Sequence, residues 1–162
     1  MMRRPVARRP LGLALALAGA CLAATPAKAA ITQFSATQIS ATKVSYKATV
    51  DTTLQKYELS YGGGSSTIIT AIESKAPASM GCTVLDFHWA SCEWMGAVGG
   101  KPETIQAPAG VFSGTFTLNP KVAKHKQTLT FEYFRRADAP PFTVASAGKK
   151  NVTIKLKKPP KH

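Results

Sequence analysis

Lys43-Val44-Ser45-Tyr46-Lys47-Ala48-Thr49-Val50 is the stretch that decides the architecture. Val44, Tyr46, Ala48 and Val50 alternate unbroken with Lys43, Ser45, Lys47 and Thr49. Successive side chains of an extended chain point to opposite faces, so this pattern is a strand with one dry and one wet side. The same period recurs outward from it. Tyr57, Leu59 and Tyr61 alternate with Lys56, Glu58 and Ser60 until Gly62-Gly63-Gly64-Ser65-Ser66 turns the chain. Thr67 to Ile72 is β-branched apart from Ala71, and Val84 to Phe87 and Trp89 to Trp94 follow as further strands. Gly96 to Gly110 carries no period and reads as a loop. Phe112, Gly114, Phe116 and Leu118 alternate with Ser113, Thr115 and Thr117, then Leu129, Phe131 and Tyr133 with Thr128, Thr130 and Glu132. A short run from Phe142 to Ser146 follows Asp138-Ala139-Pro140-Pro141, and the last strand sets Val152, Ile154 and Leu156 against Asn151, Thr153, Lys155 and Lys157. With a first strand at Ile31 to Ala36, about eight to ten short strands describe an all-β fold, and their uneven lengths and connections favour an antiparallel sandwich over an up-and-down barrel.

The beginning of the 162-residue chain has a different composition. Residues 1–29 hold the bases Arg3, Arg4, Arg8, Arg9 and Lys28 and no acid, an apolar run from Leu11 to Ala24, and then Ala27-Lys28-Ala29, the small residues that a signal peptidase reads. The apolar run of about 14 residues falls short of the roughly 20 that a bilayer core needs. A secretory signal cleaved near Ala29 is therefore expected, with no transmembrane segment in the mature chain. Two variants fit less well. Arg8-Arg9 resembles a twin-arginine signal but is followed by Pro10, and Leu17-Ala18-Gly19-Ala20-Cys21 resembles a lipidation box with Ala18 where a large apolar residue is wanted. Residues 30–157 are expected to form one sandwich domain, monomeric, with 158–162 a basic disordered tail, in the periplasm or outside the cell.

Loss of the signal removes Cys21 and leaves Cys82 and Cys92. Two thiols in an oxidising compartment imply one disulfide, a local staple around Thr83 to Ser91. A metal held by Cys82, Cys92 and His88 has only His125, His162 or a carboxylate to complete it, and the spacing is not that of a structural zinc site, so no metal and no cofactor is expected. Trp89 and Trp94 stand five apart and point to opposite faces of a strand, one into the core and one outward. Phe87 and Trp89 in the stapled loop are candidate protein-contact residues.

Gly81-Cys82, Trp89-Ala90-Ser91-Cys92-Glu93-Trp94 and Pro108-Ala109-Gly110-Val111-Phe112-Ser113-Gly114-Thr115-Phe116-Thr117-Leu118 together resemble the second half of the Ig-like repeat domains of bacterial surface and exported proteins. That family has two cysteines around a hairpin, then a Pro-x-Gly turn into a Ser/Thr-rich strand. The resemblance implies an Ig-like sandwich. It departs from the family after Val50, where Asp51-Thr52-Thr53 replaces an Asn-x-Gly turn, and in having one domain instead of an array. Folds of this kind host many functions, so it implies no activity.

Charge is unevenly placed. From Ala30 to Pro120 five bases face six acids, whereas from Lys121 to His162 eleven bases face only Glu132 and Asp138. Lys121, Lys124, Lys126, Arg135, Arg136, Lys149, Lys150, Lys155, Lys157 and Lys158 are the candidate partner-binding residues. If the last two main strands pair, these cations merge into one face that concentrates an anionic envelope polymer, lipid or partner protein. Nucleic acid is disfavoured, because it calls for aromatic platforms among the cations and only Tyr133, Phe134 and Phe142 are near. The plain alternative is that such lysines guard edge strands and solvate a tail.

No catalytic signature accompanies this. There is no G-x-S-x-G elbow, neither Gly62-Gly63-Gly64 nor Gly99-Gly100-Lys101 has phosphate-loop spacing, and no two acids lie within three positions of each other. The expected function is a non-catalytic exported binding or structural module with a basic C-terminal face. The alternative is a small exported inhibitor or effector that presents the Cys82–Cys92 aromatic hairpin to a protein target.

Overall fold

Strict alternation along 43–50 yields the strand it implies: Val44, Tyr46, Ala48 and Val50 are buried while Lys43 and Lys47 are exposed. The computed structural model describes residues 30–62, 69–86, 88–96, 106–119 and 126–156. Among them are β1 (Ile31–Gln38), β2 (Lys43–Val50), β3 (Lys56–Tyr61), β4 (Ile69–Ala76), β5 (Met80–Asp86), β6 (Trp89–Trp94), β7 (Gly110–Leu118), β8 (Lys126–Arg136) and β9 (Val144–Lys155), with no helix. The expected signal segment 1–29 with Cys21, the turn at 63–66, the middle of the Gly96–Gly110 loop and the tail 158–162 lie outside the described residues.

Two antiparallel sheets form a sandwich, ordered β1-β2-β7-β4 and β5-β6-β3-β8-β9. The chain changes sheet at most of its connections, which suits the uneven spacing of the strands and is foreign to an up-and-down barrel. Between the sheets lies an aromatic core. Tyr57 of β3 stacks on Phe131 of β8 with ring centroids 4.9 Å apart and meets Phe112 of β7 edge-on at 5.8 Å. The Tyr46 and Tyr57 hydroxyls hydrogen-bond across the sandwich at 2.7 Å, so each buried polar group gains a partner from the opposite sheet. Gly114, opposite Tyr46 on β7, makes room for that ring. A Cβ there would run into the Glu73 carbonyl oxygen and the Tyr46 phenol.

Cys82 and Cys92 sit directly opposite each other on β5 and β6, Cα atoms 4.0 Å apart, and are joined by a disulfide. The bridge is the hairpin staple implied by the cysteine count, and it links neighbouring strands of one sheet. Trp94 packs against the core and Trp89 is exposed, the opposite orientations that five residues of strand require. One segment differs from the reading of the sequence. The run Phe142 to Ser146 and the strand around Val152 are parts of a single element, β9, interrupted where the register slips between Tyr133 and Phe134. Ala147 is the unpaired residue there, and Gly148 beside it passes under the Tyr133 ring, where a Cβ would lie 2.8 Å from a ring carbon. This bulge resets the period of two, which is why the sequence reads as two short runs.

Candidate functional site

β8 and β9 pair along their length, so the C-terminal cations do share one ladder. Their side chains do not share one face. Buried Leu129, Phe131 and Tyr133 fix which positions of β8 point inward, and register then assigns the rest. Lys126 and Lys155 are directly opposite, exposed, on the outward face at one end of the ladder. Thr128 with Thr153 and Thr130 with Asn151 form the next outward pairs. Lys149 is also exposed on this face, opposite Glu132, whose carboxylate accepts a hydrogen bond from Ser146 at 2.5 Å.

The remaining described cations are engaged within the fold. Lys150 lies opposite Phe131 on the inward side, and its Nζ donates to the Ile31 and Thr32 carbonyls of β1 at 3.3 and 3.0 Å, closing the seam between the two sheets. An inward-turned lysine of this kind protects an edge strand from pairing with another chain. Arg135 faces Asp138 at 3.9 Å, and Arg136 lies over the Phe142 ring at 4.8 Å. These arginines end β8 nine and ten residues beyond Lys126, roughly 30 Å away at strand rise and several Debye lengths at physiological salt. Lys121, Lys124, Lys157 and Lys158 lie outside the described residues, as does Phe87. In sequence, Lys121 and Lys124 precede Lys126 by five and two positions, and Lys157 and Lys158 follow Lys155 by two and three.

The middle of that outer face carries mixed charge. Glu58 and Glu132 stand opposite each other on β3 and β8, with Lys56 bridging to Glu58 at 2.7 Å and lying over the Phe134 ring at 4.4 Å. A cationic end is thus separated from the two arginines by carboxylates. An open hollow of about 610 Å³ lies at the β1–β9 seam, lined by Ala30, Ile31, Glu132, Ser146, Ala147, Gly148 and Lys149. A shallower one of about 230 Å³ lies over β1, β2 and β7 among Ser35, Thr37, Ser45, Lys47 and Ser113. Among the described residues no His, Cys, Asp and Glu side chains cluster in a set able to hold a metal ion, and no helix is long and apolar enough to cross a membrane.

No family model, curated protein or solved structure matches this chain. The reading of its surface therefore rests on its own residues.

The hairpin tip is the second exposed feature. Trp89 is 47% exposed, and Leu85, at 54%, stands beside it on the outer face of the same sheet. His88 meets the Trp89 ring edge-on at 5.5 Å. Leu85 was not singled out from the sequence. With Cys82 and Val84 packed against the core, alternation puts Leu85 outward, at the register slip between Val84 and Asp86, in a run that reads as continuous apolar strand.

Burial raises the phenol pKa of Tyr46, Tyr57, Tyr61 and Tyr133, Tyr61 to about 12. For Tyr133 the negative charge of Asp51 adds to burial and Arg135 opposes it. These phenols belong to the core and hold it together as neutral groups.

Proposed function

We propose that the protein is an exported, non-catalytic binding module that holds an anionic envelope polymer or partner at the lysine-rich end of the β8–β9 ladder. The sandwich carrying this face is of the Ig-like kind suggested by residues 81–118. The observation that carries the reading is the Lys126–Lys155 pair. Like charges placed directly opposite in a sheet repel and destabilise it. Neither lysine makes an ion pair with a described residue, four further lysines lie within five sequence positions of them, and the hydroxyls of Thr128 and Thr153 stand beside them. An anion relieves that repulsion, and the hydroxyls supply neutral donors to its oxygens. The engagement of the two carboxylates on this outer face, Glu58 by Lys56 and Glu132 by Ser146, supports the non-catalytic reading.

Co-sedimentation of the purified protein with isolated cell envelope tests it. Binding is expected at low salt and is expected to vanish at about 0.5 M salt, where screening acts within roughly 4 Å. The double variant Lys126→Glu and Lys155→Glu removes two attractive contacts of about 1 kcal/mol each and is expected to weaken binding at least thirty-fold. Salt-independent sedimentation, or a double variant that binds as well as the parent, would overturn the proposal.

A second reading is favoured by Leu85 and Trp89, an apolar pair exposed on the outer face beside the disulfide. On this reading the module is a small exported inhibitor or effector that docks the stapled hairpin on a protein target. Trp89→Ala is then expected to abolish inhibition while the envelope binding above is unchanged, and retention of full inhibition by that variant would count against it.

A further inference from the structure

We infer that hydrolysis of the Ala29–Ala30 bond creates an amino terminus that ion-pairs with Asp51, so that the processing site is also the latch that fastens β1. The inference rests on the export part of the reading above and is independent of the anionic partner. Its basis is a reciprocal contact. The Ala30 N–H donates to Asp51 Oδ1 at 2.7 Å, and the Asp51 N–H donates back to the Ala30 carbonyl at 3.2 Å. One residue later Ile31 is buried, paired with Val50, and Lys150 Nζ donates to the carbonyls of Ile31 and Thr32. The first three residues after Ala29 are thus gripped by a carboxylate on one side and an ammonium on the other.

A neutral amide is satisfied by any carbonyl, whereas a carboxylate aimed at the first residue of a strand matches an ammonium. In the proposed step an envelope peptidase adds water across the bond. The hydroxyl joins the Ala29 carbonyl carbon, which leaves as a carboxylate, and the Ala30 nitrogen becomes –NH3+. One of its three N–H groups already points at Asp51 Oδ1. Ala27 and Ala29 stand at the small-residue positions that such a peptidase reads. The titratable and charged groups facing the new terminus are Asp51, Glu132 and Lys149 on the hollow shared with Ala30, Lys150 on the β1 carbonyls, and the Tyr133 phenol, which senses Asp51.

An α-amine ordinarily titrates at about 7.7 to 8.0. Pairing with Asp51 raises that value in the folded state. The stabilisation is therefore complete below the ordinary value and is lost as pH rises through the raised one.

The test uses the full chain expressed in an exporting host, with intact mass measured on the recovered protein and the Ala30 methyl and Hα resonances titrated by NMR. The expected results are a chain beginning at Ala30, an amine pKa raised by about half a unit or more, and its return to about 7.7 to 8.0 in Asp51→Asn. Asparagine keeps the hydrogen-bond acceptor, so the variant retains the strand pairing. Its melting temperature is expected to fall by about 2 to 4 °C near pH 6 and to equal the parent's near pH 10. A mass beginning elsewhere, a lipidated Cys21 included, would overturn the processing site. A chain that begins at Ala30 with the same amine pKa in parent and variant would overturn the ion pair alone.

Discussion

Tyr46 and Tyr57 meet hydroxyl to hydroxyl at 2.7 Å in the middle of the core, and the two ends of that bond are not equivalent. The Ser74 hydroxyl, which donates to the Pro77 carbonyl at 3.3 Å, lies near the Tyr57 phenol with its oxygen open as an acceptor, whereas the Tyr46 phenol faces the charge of Glu73. Removing the Tyr57 hydroxyl strands its neighbour. Removing the Tyr46 hydroxyl leaves Tyr57 the Ser74 oxygen as a candidate acceptor. A buried donor left without a partner costs about 1–3 kcal/mol, against about 0.5–1.5 kcal/mol for the net loss of one ordinary hydrogen bond. Tyr57→Phe is therefore expected to destabilise the protein by the larger amount and Tyr46→Phe by the smaller. Urea denaturation of both variants and of the double variant measures the difference and the coupling. Equal losses in the single variants would show that Ser74 does not serve as the second partner.

At the scale of elements, the β5–β6 hairpin is held by the disulfide at one matched pair and by ladder hydrogen bonds elsewhere. The bridge closes a loop of sequence separation 10, and the loop-entropy relation assigns it about 2.7 kcal/mol. Replacing Cys82 and Cys92 together by Ala is expected to lower stability by about 2–3 kcal/mol, with faster amide exchange confined to β5 and the hairpin tip. β5 is an edge strand whose ladder partner is β6 alone, whereas β3, β6 and β8 each have two. Exchange quickening equally in β3 and β8 would mean that the staple supports the whole sheet. The hairpin also shows what the sequence can and cannot convey. The pairing of Cys82 with Cys92 was legible because they are the only two cysteines beyond the apolar N-terminal run that holds Cys21, and β2, β3 and β8 were legible because burial on one face imposes strict alternation. The second half of β9 was legible too, but its continuity with the first half was not, because the bulge at Ala147 resets the period and the first three residues are exposed, so neither face of that half leaves a hydrophobic record. The same bulge hides the candidate site's detail. The charge count locates the cations in the last quarter of the chain, but whether Lys149 or Lys150 turns inward depends on register that only the paired strands define.

For the molecule as a whole, the four tyrosines of the sequence lead to the expectation that alkaline pH unfolds it cooperatively. Tyr46, Tyr57, Tyr61 and Tyr133 are all buried, and each has a phenol pKa raised above the ordinary 10.0, chiefly by burial. The native state keeps its phenolic protons where the unfolded chain gives them up. Below pH 10 both states hold them, and stability is unaffected by this group. Above pH 10 the unfolded state binds fewer protons, so stability falls by up to about 1.4 kcal/mol per pH unit for each tyrosine. Tyr46 and Tyr61, with the largest shifts, together remove up to about 3 kcal/mol per unit, and Tyr57 and Tyr133 act in the same direction, a large fraction of the stability of a typical small domain. Unfolding is therefore expected between about pH 11 and pH 12, before most of the phenols ionise in the folded protein. Near-ultraviolet tyrosinate absorbance recorded beside far-ultraviolet circular dichroism decides the matter. The two signals are expected to change together in one step, with little tyrosinate near pH 10. Tyrosinate growing in near pH 10 while the sheet signal persists would mean that water reaches these phenols in the native state, and the aromatic seam between the sheets would then be looser than its 2.7 Å hydroxyl contact and 4.9 Å ring stacking imply.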